Sequence, residues 1–208
     1  MKLFIIACCT SLLFFSTDLN SEENEKQSSL VDMAIYHTEF DYEIRYATTN
    51  NFIGEQLYDC AKCLLQPEVA KAVLKANMHF CELGYKIKFY DCYRPLAVQK
   101  FMWSKVPRPA YVANPYGKGS LHNKAAAVDI TLVTLDGCFV DMGSDYDFFG
   151  SVSHIDHYKH PPEVLANRKL LREGMQTVGF RTVRTEWWHY SFQQAWRFKT
   201  LNDKLPCF

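Results

Sequence analysis

The apolar positions of this chain change period several times, and each change marks an element. Tyr42, Ile44 and Tyr46 alternate with Glu43 and Arg45, the two-residue period of a half-buried strand. From Pro67 to Leu83 the period lengthens. Val69, Val73, Ala76, Phe80 and Leu83 fall on one helical stripe, Pro67 suits the first turn, and Gly84 stops the helix. Lys86 to Tyr90 alternates again and predicts a strand, which delivers Asp91-Cys92-Tyr93-Arg94-Pro95; Leu96 to Ser104 then reads as a short helix. Three prolines and two glycines make Pro107 to Gly119 a loop. Ala125 to Val133 predicts a strand, with Asp136-Gly137 as a hairpin turn toward Cys138–Val140. Ser144 to His160 is irregular. Pro161 to Val178 predicts a second amphipathic helix, ended by Gly179, and Phe180 to Phe192 a last strand interrupted near Glu186. Helices and strands do not alternate regularly, so the expected class is α+β: one domain, with a central antiparallel sheet flanked by helices.

The amino terminus follows another rule. Lys2 precedes an almost unbroken apolar run from Leu3 to Phe15, and polar residues follow at once. The run is short for a bilayer span and suits an export signal. The expected organisation is a signal peptide over 1–19, a flexible leader over 20–30 and one domain over 31–208. Ile5-Ile6-Ala7-Cys8 resembles a lipoprotein box, but the apolar stretch before Cys8 is brief, so a periplasmic or secreted protein without a stable membrane span is expected. Export leaves six cysteines, Cys60, Cys63, Cys81, Cys92, Cys138 and Cys207, an even number that invites disulfides of undetermined pairing. Cys60-x-x-Cys63 lacks both the second pair of a zinc knuckle and the βαβ setting of a redox motif. Lysine plus arginine equals aspartate plus glutamate at 23 each, which removes any electrostatic argument for a nucleic-acid partner.

Two segments carry chemistry. One runs from Ser120 through His122 and Ala125 to Asp129; the other is Glu186-Trp187-Trp188-His189. Two imidazoles and a carboxylate make a common catalytic zinc set with a fourth position open. The spacing imposes conditions. A straight strand would part His122 from Asp129 by roughly 23 Å, at about 3.3 Å per residue, so the chain must double back near Asn123-Lys124. Glu186 and His189 would lie on opposite faces of a regular strand, so a bulge or turn must bring them together. Taken one at a time, these residues have plainer explanations: a lone histidine is usually a hydrogen-bonded or surface residue, and the tryptophans would serve as core. Asp129 is harder to dismiss, because a carboxylate in an apolar strand needs a partner.

The two segments resemble the signatures S-x-H-x-x-G-x-A-x-D and E-x-W-H of the zinc D-alanyl-D-alanine dipeptidases. Tyr46-Ala47-Thr48 with Asn51-Phe52, Asp91 to Pro95, Met142 to Phe148 and Asn167-Arg168 extend the similarity, in order, over roughly residues 40–195. The resemblance implies a hedgehog/D,D-peptidase-like fold and one zinc ion per chain on His122, Asp129 and His189. It implies Glu186 as general base, Arg94 as the cation that stabilises the oxyanion, and Ser120 and Asp147 as substrate-binding groups, Asp147 toward a free amino group. Ala125 departs from the pattern, standing where the family has glycine. The activity implied is hydrolysis of D-alanyl-D-alanine to two D-alanines, in cell-wall turnover or D-alanine scavenging, with a small D,D-dipeptide as the partner. The rivals are a D,D-carboxypeptidase or L,D-endopeptidase acting on peptidoglycan stem peptides, and a non-catalytic zinc-binding module. Closed pockets select dipeptides and open grooves admit stems, so the loops over 107–119 and 144–160 matter to the choice.

Overall fold

The computed structural model describes residues 30–207, so the expected signal peptide and all but the last residue of the leader lie outside it. Seven strands and three α-helices follow one another: β1 (Val31–Asp32), β2 (Asp41–Tyr42), β3 (Leu64–Leu65), α1 (Pro67–Glu82), β4 (Tyr85–Asp91), α2 (Leu96–Lys105), β5 (Ala127–Thr134), α3 (Pro162–Thr177), β6 (Phe180–Val183) and β7 (Glu186–Phe192). The main sheet has the order β2-β4-β5-β7-β6, antiparallel except for the edge pair β2–β4, and β1 pairs with β3 in a separate two-stranded sheet. No helix of the described residues is long and apolar enough to cross a membrane.

Helix α1 starts on the proline that the sequence placed in its first turn and packs on β4 and on α3. The crossing of α1 and α3 is close. A Cβ on Gly174 would meet the Phe80 ring at 2.4 Å, so a glycine is required there. Phe80, Ile87, Phe89, Ile130, Leu132, Met175 and Phe180 are fully buried between helices and sheet, each contributing about 1.5–3 kcal/mol of transfer free energy. Strand β5 is central and buried along nearly its whole length, as its unbroken apolar run requires.

Two expectations need correction. The strand expected over Tyr42–Tyr46 ends at Tyr42, and Arg45–Ala47 forms a 3₁₀ turn. Alternation fails because Arg45 is also buried, 8% exposed, and pairs with Glu43 and Asp145. The strand expected from Ala125 starts at Ala127, because Leu121–Lys124 is a 3₁₀ turn closed by Ala125 in the left-handed region, φ 52°. That turn is the reversal that the spacing of His122 and Asp129 demands. The last strand is a hairpin, β6 and β7 joined through Arg184-Thr185. Its register jumps from Thr182↔Tyr190 to Val183↔Glu186, so Trp187, Trp188 and His189 have no partners on β6. Asp136-Gly137 does turn the chain, with an isolated bridge from Val133 to Phe139.

Among the described residues the cysteines resolve into Cys60–Cys207 and Cys63–Cys92, with Cys81 and Cys138 as free thiols. Cys60 and Cys63 each find a distant partner, in accord with a structural rather than a redox role for this C-x-x-C pair.

Candidate metal centre and active site

The site lies where two sheet irregularities meet. Between Phe89 and Asp91 the β4–β5 register shifts by one residue, which sets Asp91 opposite Asp129. On the other side of β5, Asp129 pairs with His189, while the bulged part of β7 turns away from β6. Bulges of this kind re-aim side chains beside active sites. The bulge answers the difficulty of Glu186 and His189, whose Oε2 and Nδ1 come within 3.9 Å.

His122 Nε2 lies 3.3 Å from Asp129 Oδ1 and 3.1 Å from His189 Nδ1, and His189 Nδ1 is 2.9 Å from Asp129 Oδ1. Donors held about 2.0–2.1 Å from one tetrahedral ion stand roughly 3.3 Å apart. These three are the group among the described residues with metal-binding spacing. Their orientation is set from behind. His122 Nδ1 is 2.7 Å from the Cys92 carbonyl oxygen, which can only accept, so Nδ1 carries the proton and Nε2 offers its lone pair. Ser191 Oγ, 2.8 Å from His189 Nε2, can accept that proton and leave Nδ1 facing inward. Tyr146 donates to Asp129 Oδ2 at 3.0 Å, leaving Oδ1 for the centre. The donor set therefore fits a zinc-type ion.

Electrostatics agree. Burial opposes charge on His122, but Asp129 and Asp91 outweigh it and its pKa stands above the usual imidazole value. Burial would raise Asp129, yet the imidazoles beside it hold it well below the usual carboxylate range. Glu186 moves the other way. Burial, helped by Asp129 and Asp147 against His189 and Arg94, pushes its pKa up to about 8. Asp147 is also raised, by burial and by Asp129. A buried carboxyl poised near neutrality has the proton affinity of a general base.

Arg94 is 7% exposed and lines the same cleft. Its Nε and one terminal nitrogen donate to Asp91 Oδ2 at 3.1 and 2.7 Å, the other terminal nitrogen donates to Gln99 Oε1 at 2.9 Å, and its plane lies over Tyr46. Asp91 also accepts from Tyr58 at 2.7 Å, and Gln99 donates to the Ala113 carbonyl. Arg94 is thus both the cation of the cleft and half of a buried ion pair. Ser120 lines the cleft and caps the 3₁₀ turn: its Oγ accepts from His122 N, and Asn123 Oδ1 accepts from Ser120 N. Asp147 adopts φ 59°, a strained backbone found at functional positions, and accepts from Tyr46 Oη at 2.9 Å.

The cleft, about 240 Å³, takes in all seven sequence-predicted site residues together with Tyr46, Phe52, Tyr111 and Trp188. The loop over 107–119 contributes Tyr111, which stacks on Phe149 at 4.5 Å, and Phe149 meets Phe52 at 4.9 Å. Three loops thus meet beside the cleft, two of them lining it through Phe52 and Tyr111. Arg168 holds one of them, donating to the carbonyls of Met142, Val152 and His154. Tyr46, Asp91, Tyr146 and Arg168 lie within the motifs, but their tasks emerge only from the contacts just described. Gln99 and Ser191 belong to none of the motifs, and each acts on the site only by orienting a neighbour, Arg94 and His189 respectively.

The family described as D-ala-D-ala dipeptidase matches residues 26–208. A D-alanyl-D-alanine dipeptidase of Escherichia coli K12 is 34% identical over 181 residues, covering 87% of this chain and 93% of that protein. One from Enterococcus faecalis is 33% identical over 169 residues, covering 72% and 84%. One from Streptomyces coelicolor is 30% identical over 173 residues, covering 74% and 86%. With the match running from ahead of β1 to the carboxyl end, the chain belongs to the D-alanyl-D-alanine dipeptidase family of metallopeptidases.

Proposed function

We propose that this protein hydrolyses D-alanyl-D-alanine, with zinc held by His122, Asp129 and His189, and that it works outside the cytoplasm in cell-wall turnover or D-alanine scavenging. The observation that carries the reading is the convergence of three donor atoms within 3.3 Å of one another beside a buried carboxyl and a buried guanidinium. When bound, zinc supplies Lewis acidity, polarising a carbonyl and making water acidic enough to attack at neutral pH.

The chain supplies the rest. Glu186 takes a proton from the attacking water and returns it to the leaving amine. Arg94, kept charged and oriented by Asp91 and Gln99, offers its remaining N–H groups to the oxyanion. Asp147, poised by Tyr46, receives the substrate ammonium, and that cation lowers a carboxyl pKa that burial has raised. Ser120 fixes the turn that carries His122 and presents its hydroxyl to the cleft. Retention of Glu186 and Arg94 speaks against a non-catalytic zinc module, which needs neither.

A cleft of about 240 Å³ is smaller than the roughly 300–1,000 Å³ of drug-sized pockets, and it is lined by Tyr111 and Phe52, both braced by Phe149. Both features favour a dipeptide over a peptidoglycan stem. Two disulfides support an oxidising compartment. The test is turnover by zinc-loaded protein on D-Ala-D-Ala and on a stem pentapeptide. Release of D-alanine from the dipeptide alone is the expected result; faster cleavage of the pentapeptide would move the assignment to a carboxypeptidase.

A further inference from the structure

We propose that the Cys63–Cys92 disulfide is a positioning element of the metal centre and of Arg94, whereas Cys60–Cys207 serves stability alone. This rests on the metal-centre reading above. The ladder of β4 ends at Asp91, and the chain then leaves the sheet. Cys92 is the first residue beyond it, buried to 1% exposure, and its carbonyl receives the Nδ1 proton of His122. Two residues on is Arg94, whose N–H donates to the His122 carbonyl and whose own carbonyl accepts from Asn123 Nδ2. The segment 92–94 is thus the bed on which the His122 turn lies.

That bed is anchored on β3. Tyr93 N donates to the Leu64 carbonyl at 3.2 Å, and the covalent tie runs from Cys92 to Cys63, the residue before β3 and itself 1% exposed. The same stretch grips the turn directly, since Gln66 donates through its backbone to the Ala125 carbonyl and through Nε2 to the Lys124 carbonyl. Strand β3, segment 92–94 and turn 121–125 therefore form one three-way junction, and the disulfide is its only covalent cross-link. A shift of the Cys92 carbonyl would rotate His122, because the imidazole has no other partner at Nδ1 as close as 2.7 Å; Asp91 Oδ2 is next, at 3.5 Å. The second disulfide is placed differently. The carboxyl-terminal tail is already docked by Leu201 N on the Asn123 carbonyl and by Asn202 on Ala97 N before the chain reaches Cys207.

The two disulfides make opposite predictions for stability and for metal. Loop-closure entropy grows with loop length, so opening Cys60–Cys207, with a separation of 147, should cost more stability than opening Cys63–Cys92, with a separation of 29. Metal affinity should rank the other way. The zinc Kd of Cys63→Ala/Cys92→Ala, measured against a chelating competitor, is expected to weaken by about 10–100-fold, the usual loss when a ligand's outer partner is disturbed. Cobalt(II) in that variant should show a shifted visible spectrum. Cys60→Ala/Cys207→Ala should melt lower yet change Kd by less than about threefold and keep the native cobalt spectrum. At saturating zinc, the first variant should also lose kcat with little change in KM, through Arg94. Equal effects of the two pairs on Kd, or none from either, would overturn the proposal. Should the first variant not fold, the same comparison is made on the folded native chain after phosphine reduction, with alkylation mapping which disulfide is open. A wild-type protein that binds no zinc tightly would instead sink the metal-centre reading itself.

Discussion

Glu186→Gln separates the chemistry of this site from its stability. In the metal-free protein the Glu186 pKa is pushed from 4.5 up to about 8, chiefly by burial. Its folded pKa is above its unfolded one, so the folded state binds the extra proton. Below pH 4.5 the carboxyl is neutral in both states and costs nothing. As pH rises toward 8, folding must hold a proton that the unfolded chain has released, and stability falls by about 1.4 kcal/mol per pH unit. Above pH 8 the loss levels off on the order of 3–5 kcal/mol, moderated by the 15% of the side chain that water still reaches. Glutamine keeps the shape without the ionisation. Metal-free Glu186→Gln should therefore match the wild type at pH 4.5 and exceed it by several kcal/mol at pH 9. Urea unfolding of both proteins across that range, in the presence of a chelator, measures the difference directly, and titrations common to both cancel. With zinc bound the advantage should shrink, because the cation stabilises the carboxylate, and turnover should fall by about 10²–10⁴-fold or more with zinc retained. A stability difference independent of pH, or a less stable variant at pH 9, would refute the claim that this carboxyl is buried at a cost. Near-normal turnover in zinc-loaded Glu186→Gln would move the base elsewhere.

His122→Ala, Asp129→Ala and His189→Ala should each abolish tight zinc binding by equilibrium dialysis; because zinc must displace the proton that Asp129 and Asp91 favour on His122, wild-type affinity should fall about tenfold per pH unit below the His122 pKa. Arg94→Ala should lower kcat and kcat/KM together by about 10²–10³-fold per folded molecule, with partial rescue by Arg94→Lys. It should also cost about 3–5 kcal/mol of stability, since it leaves Asp91, 0% exposed, without its cation; a rise in KM alone would mean that Arg94 grips the ground state. Ala125→Gly relieves about 1–2 kcal/mol of left-handed strain but loses about 0.8 kcal/mol of buried methyl and frees the unfolded chain by about 0.4–1 kcal/mol. It should therefore fall within about 1 kcal/mol of wild type in urea unfolding, and a gain well beyond that would show that the turn is more strained than φ 52° implies.

Period and punctuation in the sequence determined the long elements. Helices α1 and α3 and strands β4 and β5 follow from apolar spacing, first-turn prolines and terminal glycines, because each buries a continuous stripe on its own account. The motifs likewise placed His122, Asp129, His189, Glu186 and Arg94 as residues of one chemistry, and the count of intervening residues demanded both a reversal and a bulge. What the sequence left open was decided by partners far along the chain. Arg45 looked like the polar side of a strand until Asp145, a hundred residues away, drew it inward. Of the six cysteines expected after export, four pair across separations of 147 and 29 residues that no local spacing encodes. The proton position on His122 depends on the Cys92 carbonyl, thirty residues back, a group with no motif of its own. Local periodicity reports what a segment must bury; only the packed fold decides which distant polar atom meets it there.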